Sequence, residues 1–178
     1  DEIYAQENYP SEKVVNSFGV QDDFMYQYAL PILNERAGTG NPFFSVLLSI
    51  SNHPPYVIPP YFHPHSDVLE EQIVEYADWS IRQFMQAAEK QPWFDNTIFV
   101  FLGDHGKMVG TPECEMPQSY NHIPLMIYGK DIKPGVYDGF GGQVDVSPTL
   151  LGLLNISYLQ NNFGVNLLEE ERPCMFFT

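Results

Sequence analysis

Apolar positions along the chain change period several times, and each change marks an element. From Val20 to Glu35, Phe24, Tyr28, Leu30 and Leu33 recur at roughly helical spacing, with Asp22 placed to cap the start and Pro31 interrupting the pattern. Gly38-Thr39-Gly40-Asn41-Pro42 ends that helix. Phe43 to Ile50 is a short, mainly apolar run with an aromatic and β-branched bias, which predicts a buried strand leading into Ser51-Asn52-His53. The proline-rich stretch from Pro54 to Pro64 predicts a surface loop, because each proline fixes φ and removes a donor.

Between Asp67 and Lys90, Leu69, Ile73, Tyr76, Ala77, Ile81, Phe84, Met85 and Ala88 return every three or four residues, the pattern of one long amphipathic helix. Thr97 to Leu102 predicts a second buried strand, running into Gly103-Asp104-His105-Gly106. A polar loop over 107–123 precedes a third strand from Pro124 to Tyr128, and Ser147-Pro148 predicts the cap and first residue of a helix reaching about Leu154. Strand and helix in succession predict an α/β fold, a mostly parallel sheet flanked by helices, with no domain boundary. Ligands of such sheets bind beyond the carboxyl ends of the strands, where His53 and Asp104-His105 fall.

With 44% hydrophobic and 15% aromatic residues, the 178-residue chain has the composition of a folded globule. Eight Lys and Arg against 23 Asp and Glu give a net charge of -15, which argues against nucleic acid as a partner. An anionic substrate would need a local positive centre, and a bound metal ion supplies one. No apolar run reaches the roughly 20 residues of a membrane span, and the segment from Asp1 to Tyr4 lacks the features of a signal peptide. Cys114 and Cys174 are compatible with one disulfide or with two free thiols, so they leave the redox compartment open.

Asp104 and His105, between a strand and a glycine, present a carboxylate and an imidazole to one point, and both are good ligands for zinc, manganese and similar ions. The alternative is an Asp capping the turn with a His beside it. His53 suits an anion contact or a metal, or a backbone hydrogen bond within its loop. His122 has the same ambiguity, and its place before the third strand sets it at the opposite end of that strand unless the loop folds back. His63 and His65 are expected to be solvated, Asp78 to make a buried hydrogen bond, Asp145 to organise the turn before its helix, and Glu169 to Glu171 to form a solvated surface. The chain has no Gly-x-Ser-x-Gly, P-loop or His-Glu-x-x-His motif, so no nucleophile is identified.

Taken in order, Phe18-Gly19-Val20-Gln21-Asp22, Pro42-Phe43-Phe44, Ser51-Asn52-His53-Pro54-Pro55-Tyr56, Tyr76-Ala77-Asp78, Asn96 to Gly106, His122-Ile123-Pro124-Leu125 and Gln143 to Leu151 resemble the later half of the sulfatase domain of the alkaline phosphatase superfamily. The branch they resemble most is that of lipoteichoic acid synthases and phosphoglycerol transferases, over about residues 18–168. The resemblance implies an alkaline-phosphatase-like fold, with residues 1–178 as the C-terminal portion of one catalytic domain. It implies Asp104 and His105 as ligands of a divalent metal ion (Mn, Zn, Mg or Ca), and His53, with His122 as a further candidate, as contacts to a phosphate or sulfate ester.

The implied reaction is phosphoglycerol or phosphoethanolamine transfer in the cell envelope; sulfate ester hydrolysis and a non-catalytic scaffold are the alternatives. The nucleophile, an acidic metal ligand and a substrate-binding Arg map to none of these residues. The resemblance therefore implies a missing N-terminal part as partner, a fragment inactive by itself, and a membrane-anchored parent working on the periplasmic or extracellular side of the membrane.

Overall fold

In the computed structural model, which describes residues 2–106, 111 and 121–174, the first regular element is a short antiparallel hairpin of β1 (Val14–Asn16) and β2 (Gly19–Val20). The Asn16 side chain accepts the Phe18 N–H at 2.9 Å and tightens the turn. Gly19 follows at φ 142°, a conformation that other residues adopt at a cost.

Helix α1 spans Asp22–Gly38 and α2 spans Leu69–Ala88. The buried stripe of α1 is Met25, Ala29 and Leu33; Leu33 belongs to the expected stripe, whereas Met25 and Ala29 lie one residue round from the expected Phe24 and Tyr28. It packs on Ile73, Tyr76, Ser80, Phe84 and Ala88 of α2, whose spacing follows the sequence pattern closely. Phe24 and Tyr28 instead meet Tyr9, with ring centroids 6.2 and 4.9 Å away, so a second face of α1 carries the N-terminal segment. Pro31 sits on the exposed side of α1, where its missing N–H opens the helix only toward water. The Trp93 indole N–H donates to the Asn34 side chain at 2.6 Å, tying the residues after α2 back to α1.

Strands β3 (Phe99–Leu102) and β4 (Leu125–Tyr128) pair antiparallel, with Leu102 opposite Leu125 and Phe99 opposite Tyr128. Succession of strand and helix predicts parallel pairing, but both ladders among the described residues are antiparallel. An antiparallel neighbour needs no crossover to the far end of the sheet, and β4 lies directly beside β3.

The run from Phe43 to Ile50 forms no strand and pairs with no described strand, and Phe44, Val46 and Leu48 are 86, 72 and 76% exposed. Leu47 and Ile50 are half-buried, so the described residues cover the run only in part. Residues 54–64 form the expected loop, with a cis peptide between Pro54 and Pro55.

The chain divides into two compact units, Asp1–Ile132 and Lys133–Thr178. In the second, α3 spans Gln143–Leu153 and begins four residues before the expected cap at Ser147. Gly142 is the N-cap, and Asp145, in the first turn, accepts the Gly142 N–H at 2.9 Å, so the Asp and not Ser147 closes the helix start. Among the described residues no helix is long and apolar enough to cross a membrane.

Candidate functional site

The end of β3 delivers Asp104 and His105. Gly103 donates its N–H to the Pro124 carbonyl at 3.2 Å, and a Cβ at Gly103 would lie 3.3 Å from the Ile123 Cβ, so the chain approaches β4 this closely because residue 103 is glycine. Past this point the backbone turns, and the His105 N–H donates to Asp104 Oδ1 at 3.0 Å. His105 Nδ1 lies 2.8 Å from the Gly106 carbonyl, which can only accept, so the proton sits on Nδ1 and Nε2 presents its lone pair.

That nitrogen is 3.5 Å from Asp104 Oδ2, and both side chains are exposed. Two donors each about 2.0 to 2.1 Å from one ion at a tetrahedral angle are separated by roughly 3.3 Å. The pair therefore has the chemistry and the spacing of two adjacent ligands. Among the described residues no three His, Cys, Asp or Glu side chains gather into a complete cation site.

Antiparallel pairing places His122 at the same end of the β3 and β4 ladder as Asp104 and His105, because the start of β4 lies beside the finish of β3. Its side chain is exposed. Residues 107–120, expected as part of a polar loop, lie outside the described residues apart from Thr111, and Cys114 with any disulfide to Cys174 lies outside them too.

His53 follows the extended run and is exposed. Its N–H donates to the Ile50 carbonyl at 3.0 Å, and Nδ1 lies 2.7 Å from the Pro54 carbonyl, which puts the proton on Nδ1 and turns Nε2 outward. The Phe18 ring lies 4.0 Å from the imidazole, centroid to centroid. The backbone hydrogen bond expected of an ordinary loop histidine is thus present, and it leaves one ring nitrogen available.

Sequence reasoning missed a buried polar network at the start of α1. Asp22 and Asp23 are 2 and 6% exposed; Asp23 accepts the Phe24 N–H of its own helix at 2.8 Å, whereas Asp22 does not turn to its own helix. Asp22 Oδ1 accepts the N–H groups of Ile50 and Ser51, both at 2.9 Å, so the expected cap serves a distant segment instead. Asp23 accepts the hydroxyls of Tyr76 at 2.5 Å and Tyr61 at 2.8 Å. Burial, reinforced by Asp23, pushes the Tyr61 phenol up to about 12 and the Tyr76 phenol higher still, so both stay protonated donors. Two consecutive acids, Asp22 and Asp23, directly after Phe18-Gly19-Val20-Gln21 are the available signal in the sequence.

Other expected roles resolve simply. Asp78 is exposed, not buried, and pairs with Arg82 one helical turn on at 3.2 Å. The imidazole of His65 is exposed with Nδ1 3.1 Å from Glu75, the backbone N–H groups of His65 and Ser66 donate to Glu75 at 2.7 and 3.0 Å, and His63 is exposed. Asp145 is fully buried against Arg172 in the second unit, and Glu169 to Glu171 are exposed.

The family model described as Sulfatase matches residues 1–156 of the chain. Lipoteichoic acid synthase 1 of Bacillus subtilis is 26% identical over 190 residues, 90% of this chain and 28% of the relative. The lipoteichoic acid synthase of Staphylococcus aureus is 23% identical over 207 residues, 96% of this chain and 29% of the relative. The chain thus spans less than a third of the length of these curated relatives. A solved protein of the alkaline phosphatase superfamily from Vibrio parahaemolyticus superimposes with a TM-score of 0.80 at 29% identity, covering 96% of this chain and 41% of that one. The lipoteichoic acid synthase LtaP of Listeria monocytogenes gives 0.79 at 26% identity, covering 93% and 46%. The α/β fold is that of the alkaline phosphatase superfamily.

Proposed function

The chain belongs to the sulfatase family, and on that premise we propose that it is part of the catalytic domain of a metal-dependent phosphotransferase of the cell envelope, moving phosphoglycerol or phosphoethanolamine. The observation that carries the proposal is the Asp104 and His105 pair, whose donor atoms lie 3.5 Å apart at the end of the β3 and β4 ladder. The lipoteichoic acid synthases among its relatives support the phosphoryl branch.

Asp104 and His105 would hold a divalent cation, which when bound supplies positive charge to the non-bridging oxygens of the ester. His105 keeps its Nδ1 proton on the Gly106 carbonyl and so offers Nε2 as a ligand. His53, with Nδ1 likewise committed to Pro54, offers Nε2 to the phosphoryl group, as a donor when the ring is charged. His122, at the same strand end as the pair, is a second candidate contact. The nucleophile and the remaining ligands would come from polypeptide outside these residues, for which the exposed Phe44, Val46 and Leu48 side chains offer an apolar contact. The working site would face the periplasmic or extracellular side of the membrane.

The test is an assay of the protein encoded by the complete reading frame, with a chromogenic glycerophosphoryl diester and the matching sulfate ester, in the presence and absence of Mn²⁺. Metal-dependent cleavage of the phosphodiester, lost in Asp104→Ala, supports the proposal. Preference for the sulfate ester favours the hydrolase alternative, and cleavage of neither favours a scaffold.

A further inference from the structure

We propose that Phe18, Gln21 and Asp22 form a cradle that positions the His53 imidazole, with the buried Asp22 carboxylate as the anchoring group; this role rests on His53 being a phosphoryl contact. Three separate contacts converge from one five-residue stretch onto one turn. Asp22 Oδ1 takes the N–H groups of Ile50 and Ser51, at the entry to the turn. The Asp22 N–H in return donates to Ser51 Oγ at 3.1 Å, and the Ser51 hydroxyl donates to Gln21 Oε1 at 3.2 Å. Beyond the turn, the Gln21 amide N–H donates to the Val57 carbonyl at 2.9 Å. Residues 52–56, with His53 among them, are therefore held at both ends by adjacent side chains, and Phe18 lays its ring against the imidazole.

The arrangement is more than a loop brace. An Asp in the first turn of a helix has its own free N–H groups to serve, favoured by the helix dipole. Asp22 directs its carboxylate 28 and 29 residues along the chain instead, and it does so from a buried position where an unpaired charge would be costly. What this fixes is the direction of one ring. Nδ1 is committed to Pro54, one side of the imidazole is covered by Phe18, and Nε2 is left to meet a ligand. A group placed this way loses little orientational freedom on binding an anion, which is the advantage of preorganisation.

The experiment uses NMR of the histidine ring signals of the 178-residue chain, assigned with His53→Gln, and titration with glycerol phosphate. In the wild type the Phe18 ring displaces the His53 signals from their free-histidine positions, and glycerol phosphate moves them further. Asp22→Ala is expected to abolish the first displacement and to weaken the glycerol phosphate response by about tenfold, the scale of one lost charge-assisted hydrogen bond. Asp22→Asn, which keeps the Oδ1 acceptor, is expected to restore both, and the His63 signals serve as an unmoved reference.

A folded Asp22→Ala protein with wild-type His53 signals overturns the inference. If Asp22→Ala does not fold, Phe18→Leu, at an exposed position, carries the decision by the glycerol phosphate response alone, and a wild-type response there overturns the inference. A wild-type His53 that ignores glycerol phosphate overturns the phosphoryl role itself, whereas the Phe18 displacement still reports whether the cradle holds the ring, so the two failures are distinguishable.

Discussion

Asp145 shows how a fully buried carboxylate stays charged. Burial alone would raise its pKa, but the Arg172 guanidinium, at 2.7 to 2.8 Å, and the N–H groups of Val165 and Gly142 outweigh that and hold it below the usual carboxylate range. A lowered folded pKa means that the unfolded chain binds the proton more readily. The associated stability is present above the unfolded value of about 3.9 and is lost as pH falls through the folded one. Arg172→Ala leaves the buried charge uncompensated and is expected to cost about 3 to 5 kcal/mol in the second unit. Hydrogen exchange across α3 at pH 7 measures it; unchanged protection would remove the pair from the account. At the same scale, Tyr76→Phe takes one donor from buried Asp23 and is expected to cost about 1 to 3 kcal/mol by urea unfolding. A neutral result would show that water replaces the phenol.

Among the elements, α2 was legible because five core positions recur on one face over 20 residues. The stripe of α1 was legible at Leu33 but not at Met25 and Ala29, because Phe24 and Tyr28, its most conspicuous apolar residues, serve a second surface against Tyr9. The start of α3 was missed for a related reason. Ser147-Pro148 is a strong start signal, but Asp145 reaches back to Gly142 and opens the helix earlier. Periodicity also told that β3 and β4 exist without telling their direction, which depends on the connection between them.

The run from Phe43 to Ile50 has the pattern of a buried strand, but its Phe44, Val46 and Leu48 side chains are exposed. Phe44→Lys with Leu48→Lys is expected to reduce self-association in light scattering without lowering the thermal midpoint, because those side chains bury little area here. A large drop in the midpoint would mean that the run is packed. The glycine at the end of β3 makes the converse prediction: Gly103→Ala pushes on the Ile123 side chain and should destabilise by roughly 1 to 3 kcal/mol. An Ala variant as stable as the parent in urea would mean that β4 yields at no cost.

For the whole molecule, the α/β class and the family followed from motifs taken in order. The candidate site was legible in part: Asp104 and His105 follow a strand in sequence, and they are adjacent donors in space. What sequence could not show was non-local. The antiparallel return that brings His122 to the same end, and the Asp22 bond to residues 50 and 51, both depend on pairings across tens of residues. Charge adds a constraint at this scale, since a surface with net charge of -15 attracts cations diffusely and any claim of a metal site must be selective against that background.

The most direct test of the central claim is Mn²⁺ titration of the 178-residue chain with histidine ring signals as readout, because paramagnetic broadening registers even weak binding at a defined residue. The account predicts that His105 broadens first, well before the solvated His63, and that Asp104→Ala removes this selectivity. Uniform broadening of all histidines, unchanged by Asp104→Ala, would contradict the assignment of Asp104 and His105 as a cation site.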